Sequence, residues 1–147
     1  MSASLPESGF ERKRERWRQE TCAAADPQER LSRFVEVAKQ TPRLGEDDRV
    51  EAHLVPGCLA KLWLVPELRD GLCWYRCDSD SLVVKGVAIL VCGFFSGESP
   101  EAILAFSGDP LRDVGIDRHL SQHRRNGLGK LRGLILDFAR SCPPSSS

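Results

Sequence analysis

The chain has 147 residues, 41% of them hydrophobic and 29% charged, which fits one domain with a single sizeable core. Its 21 basic and 21 acidic residues cancel, so no global field draws it to nucleic acid or to an anionic membrane. The longest apolar stretch, Leu82–Phe95, carries Lys85 and is too short to span a bilayer, and the N-terminus lacks the order of a secretory signal. A cytoplasmic protein is expected.

Residues 1–25 are polar and densely charged and read as a flexible extension, mobile or loosely docked, in which ERKRERWR has helical potential and a solvated face. Order begins with DPQERLSRFVEVAKQ: Asp26 caps, Pro27 suits the first helical position, and Leu31, Phe34, Val35 and Ala38 recur at helical spacing. After the polar loop TPRLGEDDRV, three strands are predicted at 51–55, 60–65 and 72–77, with PELRDG as the turn between the last two. Short strands with short connections favour antiparallel pairing. DSDSLVVKGVAILVCGFF then changes to helix, capped by Ser79 or Asp80 and apolar nearly all round, as a buried central helix is. SPEAILAF and DPLRDVGI each open with a capping residue before proline and predict two short helices. A last helix over 122–140 puts Leu128, Leu131, Ile135 and Phe138 on one face, with Gly127, Gly129 and Gly133 as its weak points. Residues 141–147 read as a disordered tail. The expected fold class is α+β, a small antiparallel sheet packed against helices.

Six cysteines occur, at Cys22, Cys58, Cys73, Cys77, Cys92 and Cys142, and without an export signal reduced thiols are expected. No C-x-x-C is present. Cys73 and Cys77 would share one strand face about 13 Å apart, too far for a straight strand to chelate one ion. Cys58 differs from the others, because Pro56 and Gly57 place it in a turn between apolar runs. A thiol on a loop held by a sheet is well placed for a partner, and a cation beside it favours the thiolate; Lys61, Lys85 and Arg124 are the candidates. From the residues alone a buried structural cysteine competes with a nucleophile, and none of His53, His119 and His123 is tied locally to Cys58 as a base. The basic final helix also leaves open a non-catalytic binding module.

VPGCLAKLWLV, DSDSLVVKGVAIL, FFSG-SPEAIL and HLSQHRRNGL follow one another in the order and spacing of the SufE family, which this chain resembles: sulfur acceptors of iron–sulfur cluster assembly that include the CsdE proteins. The resemblance covers 26–139 and implies a SufE/IscU-like domain at 26–140. Its acceptor cysteine falls on Cys58, after Gly57. The acidic D-S-D turn falls on Asp78, Ser79 and Asp80, the K-G pair on Lys85 and Gly86, and the last motif on His119, Leu120, Arg124, Gly127 and Leu128. These flanking positions are implied to support the loop or dock a partner. The chain departs from the usual pattern at Ala60, where serine is common, and at His53, where asparagine is.

The resemblance implies a non-enzyme carrier that takes sulfur as a persulfide on Cys58 from a SufS/CsdA-type cysteine desulfurase, stimulates that enzyme, and passes sulfur to a recipient such as a cluster scaffold complex. Pyridoxal phosphate belongs to the desulfurase, and no cofactor or metal is expected on this chain. The alternative is an IscU-like cluster scaffold using Cys58 with Cys77 and His119 or His123, which needs several ligands converging in space.

Overall fold

The computed structural model describes residues 8–22, 26–58, 60–106, 108–113 and 115–143. Its centre is one antiparallel hairpin, β1 (Leu62–Arg69) and β2 (Leu72–Ser79), with Leu62 opposite Ser79 and Arg69 opposite Leu72. Asp70 and Gly71 form the turn with φ of 56° and 79°, the paired positive values of a tight hairpin turn that matches strand twist. PELR therefore stays in β1 instead of forming the predicted turn. Pro66 is tolerated there because its partner Tyr75 donates its N–H to Ser96 Oγ, away from β1, so this pair needs no ladder bond.

The predicted strand at 51–55 is not formed. Glu51–His53 is a 3-10 turn, and a single bridge joins Leu54 to Trp63. A two-stranded sheet is all edge, and short segments cover both sides here. Val55 N–H donates to Leu62 C=O at 2.8 Å along β1, and Cys73 N–H donates to Glu98 C=O at 2.9 Å along β2.

Among the described residues six α-helices pack around the hairpin: α1 (Ser8–Cys22), α2 (Pro27–Gln40), α3 (Leu82–Phe95), α4 (Pro100–Ala105), α5 (Pro110–Asp113) and α6 (Gln122–Ser141). Side-chain caps start most of them, with Asp26, Ser81, Ser99 and Ser121 each accepting from a backbone N–H in the first turn. The cap of α3 is Ser81, one residue beyond Asp80 and two beyond Ser79, the expected caps. Buried Cys73, Tyr75 and Cys77 alternate along β2 and face the helices. α3 contributes Val87, Ala88, Val91, Phe94 and Phe95 to the core, and α6 adds Leu128, Leu131 and Ile135. Each large apolar side chain among them contributes roughly 1.5–3 kcal/mol of hydrophobic stabilisation. Tyr75 ties the layers together by donating its hydroxyl to Ile135 C=O at 3.1 Å.

The charged N-terminal segment is more closely docked than its composition predicts. α1 inserts Phe10, which is buried and stacks on Phe106 at 4.9 Å between ring centroids. Lys13 reaches the last turn of α3, donating to Phe94 C=O at 2.9 Å and Ser96 C=O at 2.8 Å and pairing with Glu98. A cation there complements the exposed carbonyls at a helix C-terminus. Residues 1–7 and 23–25 lie outside the described residues. At the other end Ser141 closes α6 and Cys142 caps it, half-buried against the core; of the predicted tail 141–147, residues 144–147 lie outside the described residues. No helix among the described residues is long and apolar enough to cross a membrane.

Candidate functional site

The loop carrying Cys58 is pinched at its base by the Val55–Leu62 bond. Between these anchors Gly57 adopts φ of 80°, a region glycine enters without strain. Cys58 follows, half-buried against the apolar core. Its Sγ faces α6 at Gly127, where an added Cβ would stand 2.6 Å from the sulfur. Gly127 therefore lets the helix pass beside the thiol, which accounts for a residue that costs the helix up to about 1 kcal/mol. Gly129 and Gly133 have open space around them, and close packing does not explain them.

The thiol opens onto a cleft of about 370 Å³. The loop supplies Cys58 and Ala60, the start of α3 supplies Ser81 and Val84, and α6 supplies His123, Arg124 and Gly127 with its cap Ser121. Because Ser81 and Ser121 are N-caps, the positive ends of two helices border the same cleft. A larger cleft of about 450 Å³ between α1, α2 and α3 has an apolar floor of Phe34, Val37, Ile89 and Leu90 and a basic margin, and no cysteine or histidine among the described side chains lines it.

Burial raises the Cys58 thiol above its ordinary value, and the nearby Lys130 charge works in the opposite direction. Lys130 is the cation that the sequence reading missed. It lies one turn beyond Gly127 on α6, and its ammonium packs directly on Gly57. The spacing Gly127–Lys130, i to i+3 on one helix face, was the available signal.

Of the cations expected beside Cys58, Arg124 lines the cleft. Lys61 is exposed, and its carbonyl accepts from Ser79 Oγ and from Asp80 N–H. Lys85 is buried elsewhere, donating to Thr41 C=O at 2.8 Å and lying 3.4 Å from Asp78 Oδ1. Asp78 is fully buried and accepts from Arg43 Nε at 3.1 Å, Leu44 N–H at 3.1 Å and Ser79 N–H at 2.8 Å. Burial opposes ionisation of Asp78, but these hydrogen bonds and the Lys85 charge outweigh it and hold the carboxyl below its ordinary range. Asp80, exposed just before the helix cap, pairs with Arg43 at 3.3 Å. The acidic turn and Lys85 thus fasten the loop after α2 to the corner between β2 and α3.

Among the histidines, His53 is held at 2.7 Å from Asp48 C=O, and His123 lines the cleft. His119 ends the 3-10 turn Ile116–His119, and its side chain lies outside the described residues, as does that of Cys22 at the end of α1. Cys73, Cys77 and Cys92 are buried; burial pushes the Cys73 thiol up to about 11, and a hydrogen bond with Cys77 together with burial raises Cys92 well above a free thiol. No group of three or more His, Cys, Asp or Glu side chains able to hold a metal ion occurs among the described residues.

The sequence matches the SufE family, an Fe-S metabolism associated domain, over residues 15–139. The chain belongs to the SufE family. An uncharacterised SufE-like protein of Synechocystis sp. is 28% identical over 103 residues, which are 70% of this chain and 65% of that protein. An uncharacterised SufE-like protein of Rhizobium meliloti is 30% identical over 106 residues, 69% of this chain and 76% of that one. The chain thus spans about two thirds to three quarters of the length of these relatives. The fold is similar to the solution structure of a hypothetical protein from Thermus thermophilus, with a TM-score of 0.68 at 20% identity over 90% of this chain and 93% of that one. The SufE match starts inside α1, so part of the apparent extension lies within the matched domain. SufE membership connects the chain with iron–sulfur metabolism.

Proposed function

We propose that this protein accepts sulfane sulfur from a SufS/CsdA-type cysteine desulfurase as a persulfide on Cys58, stimulates that enzyme, and passes the sulfur to iron–sulfur cluster assembly. The observation that carries the reading is the position of Cys58. It stands in a pinched loop at a cleft bordered by two helix N-termini and by Arg124 of α6, while Cys73, Cys77 and Cys92 are buried. Cys142 caps α6 through its backbone N–H and packs against the core, away from this cleft.

In the proposed step the Cys58 thiolate attacks the outer sulfur of the donor persulfide. A sulfur–sulfur bond forms to Cys58 as the donor's sulfur–sulfur bond breaks, and the donor cysteine leaves as a thiolate. The proton lost by Cys58 goes to solvent, and the departing thiolate can take one up. The transferred sulfur keeps its oxidation level, so no oxidant or reductant enters. Burial opposes the deprotonation this step needs, whereas Lys130 and the two helix ends favour it.

Intact mass after incubation with a cysteine desulfurase and cysteine tests the reading. The expected product carries added sulfur that dithiothreitol removes. Cys58→Ser is expected to abolish loading and stimulation while keeping the fold, since serine is nearly isosteric but forms no persulfide. Undiminished stimulation by that variant without added reductant, or sulfur found on Cys77, would show the assignment to be wrong.

A further inference from the structure

We propose that Lys130 is the counter-ion of the Cys58 thiolate, carried over the loop by α6 and seated on Gly57. The inference rests on reading Cys58 as the sulfur acceptor. Two neighbouring positions on one face of α6 divide the work. Gly127 gives the sulfur room, and one turn later Lys130 lays its side chain on the residue before Cys58. A Cβ at Gly57 would lie 3.1 Å from Lys130 Cε and 3.2 Å from Cδ and would overlap the ammonium. Gly57 thus serves both the turn and the close seat of the cation.

The other charged or titratable side chains facing Cys58 among the described residues are His123 and Arg124, also from α6. α3 contributes Val84 and its cap Ser81, and the loop contributes Ala60, none of which carries a charge. No acidic residue among the described ones lines the cleft to cancel the cations. Lys130 is exposed, so its effect is that of a solvent-screened partner, modest and salt-dependent. A lysine here gives the loop a charge that stays with the sulfur as the thiolate forms.

The test is the pH dependence of iodoacetamide alkylation at Cys58 in the full chain, read by peptide mass spectrometry so that the other cysteines do not contribute. Lys130→Met is expected to move the midpoint up by about half a pH unit and to slow alkylation at neutral pH about threefold. Lys130→Arg is expected to restore the wild-type profile, Lys130→Glu to move it further up, and molar salt to shrink every difference. Superimposable profiles for wild type and Lys130→Met overturn the proposal. Equal shifts in the Met and Glu variants also overturn it, because packing alone would then explain them. Should Lys130→Met fail to fold, Lys130→Gln takes its place against Lys130→Arg. Sulfur loading by a desulfurase is scored separately. A chain that shows the Lys130 shift but takes no sulfur refutes the acceptor reading alone, and loading with an unmoved profile refutes the counter-ion alone.

Discussion

Asp78 is a carboxylate taken wholly out of water, and it survives there because donors and a cation surround it. Arg43, Leu44 and Ser79 donate to it, and the buried Lys85 ammonium lies against one of its oxygens. Removing one member of such a set leaves the rest desolvated without compensation. Asp78→Asn is therefore expected to lower stability at neutral pH by about 3 kcal/mol, measured by urea unfolding. A loss below about 1 kcal/mol would contradict the arrangement. The folded carboxyl titrates below its unfolded value, so its contribution is complete above about pH 4 and fades as pH falls through the lower folded value. Wild type should accordingly lose stability more steeply than Asp78→Asn on acidification below about pH 4.

At the scale of elements, α6 does two jobs whose demands conflict. Its buried stripe of Leu128, Leu131, Ile135 and Ala139 wants good helix formers, yet the turn beside Cys58 needs a residue without a side chain. Gly127→Ala isolates that conflict. The added methyl group raises helix propensity by up to about 1 kcal/mol but overlaps the Cys58 sulfur, which is the free end of a short side chain and can rotate. Net stability should stay within about 1 kcal/mol of wild type, while the thiol turns away from α6 and Cys58 is alkylated faster. An unchanged alkylation rate in the folded variant would mean that Gly127 does not set the resting position of the sulfur. The same reasoning separates Gly127 from Gly129 and Gly133, where space is open and alanine meets nothing.

For the whole molecule, the question is how far α1 belongs to the cooperative unit. Phe10 enters a group of rings formed by Phe94, Phe95 and Phe106, with centroids 5.2, 6.0 and 4.9 Å away. Lys13 then closes the end of α3. Phe10→Ala is expected to cost about 3 kcal/mol and to remove hydrogen-exchange protection from α1 before the hairpin loses any. Retained protection in α1 would show that its charged contacts suffice to dock it.

The sequence by itself determined the features that depend on a few neighbouring residues. Caps before Pro27, Pro100 and Pro110, the apolar run of α3, the periodic face of α6 and a cysteine after Pro-Gly are all local signals, and each element is found where they point. Tertiary structure decided the pairings between distant residues. Within 51–55, Glu51–His53 became a 3-10 turn and Leu54 kept a single bridge to Trp63, while β1 ran on through Pro66 and paired with β2 over its whole length. Lys85 left the thiol and joined Asp78, since its place on α3 turns it toward the loop after α2. Lys130 took the place beside the loop, because the packing of α6 brings that face against residues 57 and 58. The buried ring of Phe10 and the contacts of Lys13 dock α1 on the fold despite its charge, since an aromatic side chain buries a large apolar surface. Composition averages over such residues, and only the packed structure shows which one decides.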